Sequence, residues 1–344
     1  MPFELPDQQY CLSCPHDKCV SYIREQSKKM KDRNTLYRIK QNAGLACAFD
    51  EWLPGFSASA PIDLPLLAYS EKIISNAKVA GSILESQVPN WFGDVEAPFI
   101  ITAGQSGKVR GDTFEMICRA IFWNCAALSR QAPAIPKNSS FAVPASLQLL
   151  NEHREIAILT LGDNYDLKKL LRKEFAEQLS DFEKKLETQS TSISYSTPDV
   201  VCIDISSQPD EIKSHFNTLI ADLSPSNQAT LSSARLKLEG RVDPKDVRFA
   251  AGIKTSIRSD RMYQFLYEAN SWKFIWARAF KTNPSPYYVL TSQTFGANPK
   301  KLASVDFSSL ELGANKARRA IDGVFTVRSP KDLIDWLAEV IEDS

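Results

Sequence analysis

The run Val200-Val201-Cys202-Ile203-Asp204-Ile205 is almost wholly apolar and directly follows Ser196-Thr197-Pro198-Asp199. A strand that is apolar on both faces must be covered on both, which demands a central place in a sheet layered by helices. Arg248 to Ile253 forms a second apolar-rich, proline-free strand, running into Lys254 and then polar Thr255 and Ser256. The two strands place a carboxylate at the mouth of one and an ammonium at the end of the other. Asp199 has no helix to cap. In this it differs from Asp210, which follows Pro209 and is accounted for by helix-start chemistry.

After Lys254, Ser259 or Asp260 is placed to cap a helix whose apolar residues Met262, Phe265, Leu266, Ala269 and Trp272 recur at helical spacing. Arg261, Gln264 and Glu268 fall on a different stripe. A helix N-terminus carries partial positive charge, so Arg258 and Arg261 beside it cost roughly 0.3–1 kcal/mol each. A bound phosphate, or a base edge rich in acceptors, would relieve that repulsion. A surface ion-pair cluster of Arg258, Asp260 and Arg261 is the plainer account of such a motif in isolation. The neighbouring lysine, glutamate and Pro198-Asp199 weigh against it.

The other elements are read more coarsely. Asp112 to Leu128 predicts a helix with Glu115 in its first turn, where a carboxylate suits the dipole; Gly104 to Gly107 looks like a turn before it. Ala157 to Leu161 and Tyr287 to Thr291 read as strands. Asp166 to Thr188, Lys316 to Val324 and the stretch from Pro330 through Ile341 read as helices. Residues 22–40 are the densest basic segment, suited to a phosphate backbone or to a solvated helix face.

Composition excludes more than it proves. A chain of 344 residues can bury a core, and its formal net charge of zero means that any basic footprint is local. No apolar run approaches the ~18 residues of a membrane span, and Met1 to Tyr10 lacks the features of a signal peptide. A cytoplasmic location in a prokaryotic cell is expected. Neither GxxxxGK[ST] nor GxGxxG occurs, and His16, His153 and His215 are scattered, which leaves nucleotide-driven and histidine-based chemistry without support.

Cys47, Cys118, Cys125 and Cys202 sit among apolar residues and read as buried hydrophobes. Cys11, Cys14, His16 and Cys19 crowd into C-x-x-C-P-H-x-x-C, which suggests structural Zn²⁺ or an iron–sulfur cluster before a disulfide. The spacing lacks a second ligand pair at the usual distance, so reduced surface thiols are the competing reading.

Together these residues resemble the type II restriction endonucleases of the PD-(D/E)XK superfamily, in the branch that reads a central CCGG. The likeness rests on Thr197-Pro198-Asp199, on Leu238-Glu239-Gly240-Arg241-Val242, and on Lys254-Thr255-Ser256-Ile257-Arg258-Ser259-Asp260-Arg261, continuing through Leu266-Tyr267-Glu268-Ala269-Asn270. Lys108-Val109, Gly111-Asp112, Phe114-Glu115, Trp123 to Ala127 and Pro54-Gly55-Phe56 match as well. It implies a mixed central β-sheet flanked by helices, with residues 31–344 as the catalytic and recognition domain behind a Cys-containing extension of residues 1–30. Asp199 would be the central metal ligand and Lys254 the lysine that orients or activates water. Glu268 would replace the acid usually found two residues before the lysine, where this chain has Gly252, and Glu115 would assist a second metal position. The Ile253 carbonyl is a further ligand in this scheme, and Mg²⁺, one or two ions per site, is the cofactor. Arg258, Asp260 and Arg261 would read the core of the site, with Arg33 and Lys108 on flanking bases, as in CRCCGGYG. A palindrome in double-stranded DNA implies a homodimer, or a higher assembly of dimers.

Three rivals stand beside this reading: a repair or nicking enzyme on the same fold, a non-catalytic DNA-binding regulator, and a metal-sensing protein built on Cys11 to Cys19. A non-catalytic binder has no need of Asp199, Lys254, Glu268 and Glu115 together.

Overall fold

In the computed structural model the described residues are 66–68, 70–71, 74, 103–130, 155–162, 165–190, 192, 197–220, 223, 225–257, 262–294, 298–305 and 319–343. The chain divides into two compact units, and Ala58–Leu64, Glu115–Ala221 and Ser226–Ser344 make the larger one, to which the packing below belongs.

Its centre is a five-stranded sheet, in chain order and spatial order alike: β1 (Ile156–Leu159), β2 (Val200–Asp204), β3 (Val247–Ser256), β4 (Tyr287–Gln293) and β5 (Gly323–Thr326). The first three strands run antiparallel and the last two join in parallel, so the sheet is mixed and α/β as expected. Val200, Val201, Cys202 and Ile203 are buried completely between β1 and β3. Val200 pairs with Ala251 and Cys202 with Phe249, after which the register slips at Cys202/Ile203.

Each face of the sheet carries its own helices. Phe249, Tyr288 and Phe325 meet Trp336 of the last helix, labelled α7 below, at ring separations of 5.6, 5.7 and 5.9 Å, and Phe122 adds another at 5.6 Å. Such aromatic pairs contribute about 0.5–1.5 kcal/mol each beyond their buried area. Side chains alternate along a strand, so Ala250, Gly252 and Lys254 face the other way. There the buried residues Phe265, Leu266, Ala269 and Trp272 mark the inner side of a helix over Met262–Ile275, whose final turn widens into a π-turn at Trp276–Phe280. Trp272 stacks on Trp276 at 4.0 Å, and their indole N–H groups donate to Ser285 Oγ and the Pro244 carbonyl.

The helices labelled here, in chain order, are α1 (Ala103–Arg130), α2 (Lys173–Glu187), α3 (Asp210–His215), α4 (Pro225–Ser233), α5 (Met262–Ile275), α6 (Pro299–Ala303) and α7 (Pro330–Asp343); residues 66–68, 70–71 and 74 are helical as well. Several boundaries differ from the sequence reading. The turn-like Gly104 to Gly107 is helical, so α1 begins at Ala103 and Glu115 lies well inside it rather than in its first turn. Asp166 to Thr188 is interrupted: Leu167–Lys169 forms a 3-10 turn capped by Asp166, and the helix proper starts at Lys173. The segment read as a helix from Lys316 to Val324 is non-helical from 319 to 322 and becomes β5, because Gly323, Val324 and Phe325 pair with Tyr288, Val289 and Leu290. Tertiary pairing overrode a weak helical pattern. Cys118, Cys125 and Cys202 are buried free thiols; Cys47 lies outside the described residues. None of the described helices is long and apolar enough to cross a membrane.

Candidate active site

Asp199 ends the chain's approach to β2, one residue before Val200 pairs with Ala251, which sets its carboxylate beside the next residues of β3. Its Oδ2 accepts two bonds, from the Ile253 backbone N–H at 2.6 Å and from Lys254 Nζ at 2.9 Å. No described residue donates to Oδ1. Lys254 is not at the strand end, as its polar successors suggested, but inside β3, paired with Thr291 of β4. Its backbone is paired on the β4 side, three residues beyond the last pair with β2.

The charges of two more acids act on Lys254. Burial pulls the Lys254 ammonium down, but Asp199, Glu115 and Glu268 together outweigh it, and the pKa lies above the ordinary value. Each carboxylate therefore acts on this one cation. Glu115 is also paired with Arg119 one helical turn on. The Cys118 thiol, fully buried behind them, is pushed well up, by burial first and then by the Glu115 charge.

Glu268 reaches the site from α5. It is only 5% exposed and sits on the buried side of the helix between Phe265 and Trp272, not on an outer stripe with Gln264. Its Oε1 accepts from Gln264 Nε2 at 2.9 Å and its Oε2 from Tyr287 Oη at 3.0 Å. Gly252 lies between these groups. A Cβ there would stand 3.2 Å from Tyr287 Oη and 3.4 Å from the Phe265 ring, so β3 has little room for an acidic side chain at that position.

Among the described residues no three His, Cys, Asp or Glu side chains form a ready-made metal cage. Magnesium does not require one, since it takes one or two carboxylates and completes its shell with phosphate and water. The carboxylates of Asp199, Glu115 and Glu268 are hard oxygen donors suited to such an ion, and among the described residues none donates to Asp199 Oδ1. Arg33, Arg258, Asp260 and Arg261 lie outside the described residues, as do the side chain of Lys108 and the Cys11, Cys14, His16, Cys19 cluster. Arg119 and Tyr287 were not singled out from sequence. Arg119 carries a signal in its spacing of four from Glu115, whereas Tyr287 carries none until the strand register is known.

The mixed sheet presents an aspartate and a lysine on adjacent strands, with a glutamate on the following helix. Residues 102–343 match the family model described as Cfr10I/Bse634I restriction endonuclease, and the chain belongs to that family. It is thus a type II restriction endonuclease, a site-specific enzyme acting on DNA. Two solved structures are similar in fold. "Crystal structure of Type IIF restriction endonuclease Bse634I with cognate DNA" aligns with a TM-score of 0.66 at 21% identity, over 86% of this chain and 92% of that one. "Bse634I restriction endonuclease" aligns with a TM-score of 0.63 at 22% identity, over 80% and 86%. No curated protein matches significantly.

Proposed function

We propose that the enzyme hydrolyses both strands of double-stranded DNA at a palindrome with a CCGG core, using Mg²⁺ held by Asp199, Glu268, Glu115 and the Ile253 carbonyl. The observation that carries this reading is the Asp199–Lys254 pair at 2.9 Å, with the charges of Glu115 and Glu268 acting on the same ammonium. When bound, the cation neutralises phosphoryl oxygens and lowers the pKa of an attacking water. Asp199 anchors this arrangement through the Ile253 N–H, which fixes one of its oxygens and leaves the other for a ligand. Lys254 keeps its proton and sets a positive charge where the phosphoryl group gains negative charge, the kind of preorganised contact that stabilises a transition state.

Recognition is assigned to the segment between β3 and α5. Guanidinium forks on Arg258 and Arg261 suit guanine O6 and N7, and Asp260 suits cytosine N4, each worth about 1–3 kcal/mol of discrimination. Arg33 and Lys108 would contact flanking bases. Likeness to SgrAI favours a longer, partly degenerate site of the CRCCGGYG type. A palindrome read this way calls for a homodimer, one active site per strand, with assembly of dimers on DNA as an extension. Residues 31–344 would form the catalytic domain, working in the cytoplasm.

Plasmid digestion with mapping of the cut ends tests the reading. Mg²⁺ should give discrete fragments ending within CCGG-containing sites, while EDTA or Lys254→Ala should give none. Random nicking, or cutting that ignores Mg²⁺, would reject it.

A further inference from the structure

Tyr287 is fully buried and opens β4 opposite Ala250. Asp322 grips its backbone on both sides: the Tyr287 N–H donates to Asp322 Oδ2 at 2.7 Å, and the Tyr287 carbonyl accepts from the Asp322 N–H at 2.9 Å. Lys273, further along the helix that carries Glu268, holds Asp322 in turn at 2.7 Å. A ring so fixed has little freedom, and its hydroxyl meets Glu268 Oε2 at 3.0 Å. Burial first, then the charges of Glu268 and Asp199, push the phenol well above its ordinary pKa.

We propose that Tyr287 is a positioning residue of this active site: its hydroxyl fills the space over Gly252 and holds the Glu268 carboxylate toward Asp199 and Lys254. The acid then comes from α5 because the phenol occupies the room that a side chain on β3 would need. A Cβ on Gly252 would stand 3.2 Å from the hydroxyl and would have to displace it. The inference rests on reading Glu268 as a metal ligand.

Variants of the full-length enzyme test it, with Mn²⁺ as the probe. Binding is followed by electron paramagnetic resonance on a duplex whose scissile phosphates resist cleavage, and thermal unfolding is measured in parallel. Tyr287→Phe removes one oxygen and keeps the ring; Mn²⁺ affinity should fall about 10-fold or more, as for other residues that orient metal ligands. Gly252→Ala should weaken binding in the parent enzyme but by less than about twofold in the Tyr287→Phe background, because the obstructing hydroxyl is gone. Unchanged Mn²⁺ affinity in Tyr287→Phe, or equal effects of Gly252→Ala in both backgrounds, would overturn the proposal. Glu268→Gln is the separate control. If it binds Mn²⁺ and cleaves as the parent does, the reading of Glu268 as ligand fails. Coupling between positions 252 and 287 in Tm would then show that the contact is real and the ligand assignment is wrong.

Discussion

At the scale of single residues, burial and charge separate groups that sequence treats alike. Asp199 was legible because an acid before a buried strand has no helix to cap, and Lys254 through the motif it opens, although it lies inside β3 and not at its end. Glu268 was legible as an acid but not as a buried one, since its position fits either of two helical stripes. Tyr287 was invisible, because only the pairing of β3 with β4 brings it over Gly252. His215 shows the same limit. Sequence offered it no role, yet its ring lies edge-on to Trp123 and Phe216, and its Nε2 is buried without a hydrogen-bond partner among the described residues. Burial, with Lys237 adding to it, lowers the imidazole pKa below 6.5. The unfolded chain then binds a proton that the folded one refuses, so stability is full above pH 6.5 and declines as pH falls toward the lowered value. Thermal unfolding from pH 7.5 to about 5 should show the Tm of the parent dropping more steeply than that of His215→Gln. Parallel slopes would remove His215 from the account.

At the scale of elements, the strands were easier to read than the helices. β2 and β3 declare themselves through continuous apolar runs. β5 does not, because Gly323-Val324-Phe325-Thr326 is short and owes its form to pairing with β4. The longer course of α1 removes the helix-start explanation for Glu115, which lies well inside the helix. The far end of α1 is held by Arg130. Its guanidinium donates to the carbonyls of Ile156 and Phe216 and, at 3.0 Å, to Asn217 Oδ1, tying α1 to β1 and the segment after α3. Burial depresses its pKa to about 10, which leaves it charged at neutral pH. Arg130→Ala strands these acceptors in a dry place, and loss of one buried partner costs about 1–3 kcal/mol. Urea denaturation should therefore report a loss of more than about 2 kcal/mol, and a loss near zero would mean that water replaces the guanidinium.

At the scale of the molecule, the fold class was legible through the motif resemblance, while the apolar run of β2 by itself indicated only a central strand. Division of the chain was not legible, since the two compact units interleave in sequence and no composition change marks them. The proposed boundary at residue 31 has its own consequence. A chain beginning there should cut the same sites as the full protein, and mapped digestion products from both decide the matter. Loss of cleavage with retained folding would give residues 1–30 a part in the reaction.

On the proposed function, Asp199 organises a metal-dependent phosphodiester hydrolysis while recognition lies elsewhere. Single-turnover cleavage and equilibrium binding of one specific duplex by Asp199→Asn measure both at once. The predicted result is a cleavage rate at least about 100-fold lower in Mg²⁺, with affinity for the duplex retained. Cleavage at the parental rate would contradict the claim.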